Sequence, residues 1–111
     1  MKFRSLRDIE QQPISHNPSI LKQMLIGWDE QMPVTQFARA VFPPGESVPE
    51  HHHKDMIEVF FVESGTATAV VNGKQFDLRP GDCLTVEPGE DHALTSTGEA
   101  EFIVLYFGVA V

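Results

Sequence analysis

The sequence contains only one cysteine, Cys83, so no disulfide bond can form within the chain. It also lacks any apolar run close to the roughly 20 residues that a bilayer-spanning helix needs. The N-terminus is charged and has no apolar stretch of the kind found in a signal peptide. We therefore expect a cytoplasmic protein with no membrane partner, in a compartment where an unpaired thiol stays reduced.

Positive charge is scarce as well. The chain has 8 Lys and Arg residues against 16 Asp and Glu residues, and a formal net charge of −8. Because nucleic-acid phosphates attract basic surfaces, we expect no nucleic-acid partner. Several acids lie near the histidine-rich segment described below: Glu46, Glu50, Asp55, Glu87, Glu90 and Asp91. They form either a solvated rim that aids solubility or a bias against highly anionic ligands such as phosphosugars.

Helical periodicity is nearly absent, and glycine- and proline-containing turns recur at short intervals. Asn72 and Gly73 form the strongest hairpin signal, because both residues tolerate a positive φ. Many short strands at close spacing predict an all-β, antiparallel sandwich or barrel. The expected strands are residues 20–26, 35–42, 57–62, 66–71, 74–78, 83–86, 92–96 and 101–108.

The length of 111 residues fits one domain with a single core. We expect residues 1–18 to form an irregular N-terminal segment, with at most a short helical turn after Ser5 that Pro13 ends. Residues 19–111 are expected to form a single β-barrel domain.

Two expected strands are apolar on both faces. If Glu58 points inward, Phe60 and Val62 do so too, which leaves Val59 and Phe61 outside. The last strand divides in the same way. A sheet with one wet face should alternate polar and apolar residues, so something covers the outer face. The N-terminal segment is one candidate, and a second subunit on a two-fold axis is the other. We predict a homodimer.

A cluster of potential metal ligands is the most informative part of the chain. His51, His53 and Glu58 are close in sequence, and His92 follows downstream. Residues two apart in a strand point to the same side, so His51 and His53 can face one point while His52 turns away. Three imidazole nitrogens and one carboxylate oxygen suit a divalent transition metal such as Fe, Mn, Ni, Cu or Zn. The pattern indicates a metal-binding β-barrel.

The spacing of these residues resembles that of the cupin family. The first cupin motif, G(X)5HXH(X)3–4E(X)6G, is matched at every fixed position, by Gly45, His51, His53, Glu58 and Gly65. The second motif, G(X)5PXG(X)2H(X)3N, is matched by Gly81, Gly89 and His92. It departs at Glu87, where proline is expected, and at Ser96, where asparagine is expected. Both departures bear on turn geometry, and neither falls on a ligand of the family pattern.

This resemblance covers the chain from about residue 19 onward and looks closest to the small single-domain bacterial cupins. It implies the antiparallel double-stranded β-helix, that is, the jelly-roll or cupin barrel. It also implies that His51, His53, Glu58 and His92 are the four metal ligands, with open coordination positions for a small-molecule ligand or substrate.

The family resemblance favours a metal-dependent oxygenase or oxidoreductase of the dioxygenase type, acting on a small oxygen-chelating molecule. The same ligand set also serves isomerases and lyases, and fold alone does not choose a reaction. A non-catalytic ligand-binding or sensing module is the alternative. No residue of the sequence is assigned as a general base, so catalytic residues beyond the ligands are left unassigned.

Four further side chains have more than one possible role. His52 is expected to point away from the metal, either at the surface or behind a ligand. Cys83 is expected in the apolar core rather than facing the pocket. Tyr106, the only tyrosine, is expected to be a core or interface aromatic, with a place in the cavity as the alternative. Trp28 either covers the barrel mouth or packs at the surface.

Overall fold

The computed structural model describes residues 1–111 and consists almost entirely of β-strands. Its one helical element is a 3-10 turn at Leu6–Asp8. The ten strands are β1 Gln12–Ile14, β2 Asn17–Ile26, β3 Val34–Phe42, β4 Ser47–His51, β5 Met56–Ser64, β6 Ala67–Val71, β7 Lys74–Leu78, β8 Cys83–Val86, β9 His92–Ser96 and β10 Phe102–Ala110. No helix in the structure has the length and apolar character required to cross a membrane.

The strands form two antiparallel sheets that enclose one apolar core. The larger sheet has the order β1-β2-β3-β10-β5-β8, and the smaller has the order β4-β9-β6-β7. The core between them contains Ile20, Phe42, Val62, Phe102 and Val104, each at most 2% exposed. This arrangement confirms the predicted all-β fold of antiparallel, double-stranded β-helix type.

Strand alternation places the buried side chains as the sequence pattern predicts. Along β5, Glu58, Phe60 and Val62 are buried, whereas Phe61 is 45% exposed. The hairpin between β6 and β7 turns at Asn72 and Gly73, which have φ values of 48° and 80°. Nine of the sixteen expected strand ends coincide with the observed ones, five extend outward by one to three residues, and two strands begin one residue later than expected.

Strand β4 was not among the expected strands. It lies at the edge of the smaller sheet, paired only with β9. Proline in a sequence argues against a central strand but is tolerated at a sheet edge, and Pro49 occupies such a position. The strand matters for function because it ends at His51.

The N-terminal segment is more ordered than the sequence suggests. It contains the 3-10 turn and β1, which pairs with β2. The Gln23 amide of β2 donates hydrogen bonds of 2.9 Å to the backbone oxygens of Leu6 and Ile9. The segment therefore lies over the outer face of the larger sheet at β2, and it leaves Phe61 exposed further along that face.

Candidate metal centre

The structure brings together the four side chains that the sequence singles out. One potential ligand atom from each of His51, His53, Glu58 and His92 lies within 4.8 Å of all the others. His51 ends β4 and His92 begins β9, and the two residues are directly paired across the smaller sheet. Glu58 projects from β5 of the larger sheet, and His53 comes from the connection that joins the two. The cluster thus lies between the sheets.

The spread of these donor atoms fits one transition-metal ion. Nitrogen and oxygen ligands lie at about 2.0–2.2 Å from such an ion, so two donors on opposite sides are about 4.2 Å apart. The largest separation of 4.8 Å exceeds that value by a few tenths of an ångström, which small side-chain movements can absorb. Three imidazoles and one carboxylate leave coordination positions open on an octahedral ion.

Backbone carbonyl groups orient two of the histidine rings. His51 Nδ1 lies 2.8 Å from the Pro49 oxygen, and His92 Nδ1 lies 3.0 Å from the Glu90 oxygen. A carbonyl oxygen can only accept, so each Nδ1 carries the proton in these hydrogen bonds. The Nε2 lone pairs are then free for a metal, which is the usual way in which proteins preset a ligating imidazole.

Glu58 is the electrostatic centre of the cluster. It is 5% exposed, and its Oε1 atom lies 3.2 Å from Nε2 of both His53 and His92. Burial is the largest single influence on the pKa of His92, and it lowers that pKa. The hydrogen bonds made by His92 and the charge of Glu58 together outweigh burial, so the pKa of His92 is raised overall. The pKa of His51 is lowered, mainly by burial and further by the neighbouring imidazoles.

Hydrogen bonds hold the turn before His92, where Glu87 departs from the family motif. The Glu87 N–H donates to the Glu90 carboxylate at 2.7 Å, a bond that proline could not make. Gly89 follows with φ +81°, and its N–H donates to the His53 oxygen at 2.7 Å. This last bond ties the two motif segments together beside the cluster.

A cavity of about 140 Å³ opens beside the cluster, a volume equal to about five water molecules. Apolar side chains form about half of its wall, among them Phe42, Phe60 and Leu94. Tyr106 also lines the cavity and stacks on Phe60, with ring centroids 5.8 Å apart. The pKa of the Tyr106 hydroxyl is raised, first by burial and then by the charge of Glu58. Tyr106 therefore takes the alternative role, as a residue of the cavity wall.

Of the other residues singled out in the sequence, one lies where it is expected and one does not. His52 is exposed, as expected, and its Nδ1 lies 2.9 Å from the Asp91 carboxylate. Trp28 is 56% exposed and lines the cavity. The expectation of a buried Cys83 is wrong, because the residue is exposed. In β8 the inward positions belong to Leu84 and Val86, so Cys83 falls on the outer side.

Sequence reasoning missed four polar residues that line the cavity, Ser15, His16, Lys22 and Gln36. The ring of His16 stacks on that of His51, with centroids 4.6 Å apart. The sequence pattern did contain a signal for Lys22 and Gln36. Lys22 and Gln36 each interrupt the apolar inward face of a strand, at positions where alternation calls for a hydrophobic residue.

Comparison with known proteins gives results consistent with this architecture. The chain is 34% identical over 65 residues to an oxalate-binding protein from Thermotoga maritima, a match covering 59% of this chain and 54% of that protein. It is 30% identical over 61 residues to a 5-nitrosalicylic acid 1,2-dioxygenase from Bradyrhizobium sp, covering 55% of this chain and 29% of that enzyme. The matches therefore span about half or less of the length of these curated relatives.

Among solved structures, a predicted oxalate decarboxylase from Thermotoga maritima superposes with a TM-score of 0.91 and 25% identity, covering 99% of this chain and 100% of that one. The family model of the cupin domain matches residues 38–107. That region contains both motif segments and all four residues of the cluster. The chain belongs to the cupin family.

Proposed function

We propose that this protein is a metal-dependent oxygenase or related oxidoreductase that acts on a small oxygen-chelating molecule. In this proposal His51, His53, Glu58 and His92 hold a divalent transition metal. The observation that carries it is the convergence of three imidazoles and one buried carboxylate on the wall of a small, largely apolar cavity. Such a cavity with a few converging polar groups is the usual form of a small-molecule site.

The chain's own residues would prepare the site for chemistry. A bound ion would act as a Lewis acid or redox centre for a chelating substrate. The carbonyl groups of Pro49 and Glu90 hold two imidazoles in the tautomer that leaves Nε2 unprotonated. One carboxylate against a divalent ion leaves a positive site that attracts oxygen ligands. The apolar wall around Phe60 limits water, which strengthens electrostatic interactions with the substrate.

The relatives support the oxygen-chelating part of the proposal. One similar protein is a dioxygenase and another binds oxalate, a small molecule with two adjacent carboxylates. Metal-dependent isomerases and lyases use comparable ligand sets, so the ligand set alone does not determine the reaction type.

A non-catalytic ligand-binding or sensing module is the second candidate function. One observation favours it. Glu58 is the only carboxylate that lines the cavity, and in this proposal it is committed to the metal. No second carboxylate lines the cavity as a general base, and the titratable side chains there outside the cluster are His16, Lys22 and Tyr106.

Elemental analysis of protein purified without an affinity tag or added metal tests the first step. Near-stoichiometric iron, manganese, nickel or copper per chain is expected. The protein loaded with each metal is then screened with diketones, catechols and hydroxy acids while dissolved oxygen is recorded, with His53→Ala as the inactive control. Metal binding without turnover under any condition would favour the binding module. Failure to bind any metal would refute the proposed metal site and favour a metal-free ligand-binding barrel.

We also propose that the protein is a cytoplasmic homodimer. The outer face of the larger sheet carries the exposed Phe61 and the partly exposed Ile103 and Leu105. A second copy packed on this face would bury them. Sedimentation at micromolar concentration is expected to give twice the chain mass of 12.4 kDa. A stable monomer would contradict the dimer without affecting the metal site.

A further inference from the structure

Lys22 is an unpaired cation on the wall of the cavity. Its side chain lies on the inward face of β2, in line with the buried Ile20. No carboxylate forms an ion pair with it, and its pKa is lowered by burial alone. No other lysine or arginine lines the cavity. A half-buried ammonium group without a partner is costly unless something negative completes the site.

Strand register separates Lys22 from the metal cluster. Lys22 pairs with Ala40 of β3, and Ala40 pairs with Val104 of β10. Gln36 lies four residues away on β3, which corresponds to about 13 Å along the strand. The Lys22 backbone and the cluster therefore lie at different ends of one cavity. The long lysine side chain lets the ammonium group reach from its own end towards the cluster.

Gln36 is a second unsatisfied group, at the metal end. It pairs with Gly108 of β10, which in turn pairs with Glu58 of β5. Gly108 has no side chain, and the Thr35 hydroxyl and the Met56 sulfur fill the space that a Cβ atom there would occupy. The Gln36 side chain lines the cavity beside them. Gln36 is 7% exposed, and its Oε1 atom has no hydrogen-bond partner. A buried acceptor of this kind requires a donor, since leaving it unpaired costs the hydration that it had in water.

We propose that the cavity binds a small hydroxy-dicarboxylic acid, whose second carboxylate pairs with Lys22 and whose hydroxyl group donates to Gln36. This assignment rests on the proposed metal site, which would receive the chelating hydroxy-acid end. With a divalent ion bound, Glu58 and Lys22 leave the cavity with net positive charge, and a dianion balances it. A cavity of about 140 Å³ suits a compact dianion better than a whole nucleotide or an oligosaccharide.

Calorimetric titration of the zinc-loaded protein tests this assignment, because zinc does not change oxidation state and binding is measured without redox turnover. The probes are L-malate and 2-hydroxyglutarate, which have a second carboxylate, and L-lactate, which does not. The variants are Lys22→Met, Lys22→Arg and Gln36→Met. Lys74→Met, at an exposed position on β7, is the matched control for loss of one positive charge.

The wild-type protein is expected to bind at least one dicarboxylate more tightly than lactate, by about tenfold or more. This is the effect expected of one charged hydrogen bond between Lys22 and the second carboxylate. Lys22→Met should remove that preference while changing lactate binding less than about twofold, and Lys22→Arg should retain it. Gln36→Met should weaken all three probes, because all share the hydroxyl group. Lys74→Met should change nothing.

The proposal is overturned if the wild-type protein has no preference for a dicarboxylate, or if Lys22→Met weakens lactate as much as malate. An equal effect of Lys74→Met would point to the overall charge of the protein and would also overturn it. Zinc content and thermal stability are measured on every sample. Absence of the preference in folded, metal-loaded wild-type protein counts against this inference alone, whereas absence of metal counts against the proposed function.

Discussion

His92 Nε2 lies 3.2 Å from Glu58 Oε1, and this contact joins the two sheets of the barrel at the candidate metal centre. His92 belongs to β9 of the smaller sheet and Glu58 to β5 of the larger one. Both side chains are nearly fully buried. A buried carboxylate needs a compensating charge, which either a protonated imidazole or a metal ion can supply. Proton and metal therefore compete for the same pair of atoms.

Substitution of neighbouring histidines should separate metal ligation from general histidine effects. Loss of a residue that only supports a metal ligand lowers metal affinity by roughly 10–100-fold. Because His53 would bind the metal directly, His53→Ala should lower metal affinity by more than this. His52→Ala is the matched control, because His52 is exposed and bonded to Asp91. It should keep full metal content. Isothermal titration with the preferred metal measures both, and equal losses in the two variants would contradict the assigned ligand set.

Metal affinity should fall with decreasing pH, and the fall should begin above the ordinary imidazole pKa of about 6.5. The reason is that the pKa of His92 is raised, so its Nε2 takes up a proton at a higher pH than a free imidazole does. Protonation there blocks ligation. Metal binding measured from pH 5 to 8 tests this. Affinity that stays constant down to pH 5 would be inconsistent with imidazole ligands.

Tyr106 should remain un-ionised in the folded protein at pH values where a free tyrosine titrates, about pH 10. Burial raises its pKa, and the nearby charge of Glu58 adds to the effect. Tyr106 is the only tyrosine, so tyrosinate absorbance reports on it alone. The unfolded protein in denaturant should titrate normally and serves as the reference. The same midpoint in both states would show that the hydroxyl is not held in the cavity.

Gly65→Ala should destabilise the protein far more than Gly45→Ala. Both glycines have positive φ values, +77° and +82°, so alanine at either position costs about 1–2 kcal/mol. A Cβ atom at Gly65 would also overlap the backbone oxygen of Glu101, whereas at Gly45 no atom lies within 4 Å. Overpacking of this kind adds about 1–3 kcal/mol. Denaturant unfolding of the two variants measures the difference, and equal stabilities would contradict the close approach at Gly65.

Local sequence features predicted most of the barrel. The hairpin at Asn72 and Gly73 was found because its two residues favour positive φ wherever they occur. The inward placement of Glu58 and Phe60 followed from strand alternation alone. Cys83 was misplaced because β8 has only four residues, three of them apolar, and so short a strand does not show which face points inward.

The sequence by itself determined the fold class and the four residues of the candidate metal centre, because turn preference, alternation and motif spacing are properties of short segments. The surroundings of that centre were decided only by the tertiary structure. His16, Lys22 and Gln36 reach the cavity from strands and turns that lie far from the motifs in sequence. Lys22 and Gln36 each interrupt an apolar strand face, but the sequence does not show where those faces meet. That depends on how β2 pairs with β3 and β3 with β10, and on how the two sheets face each other.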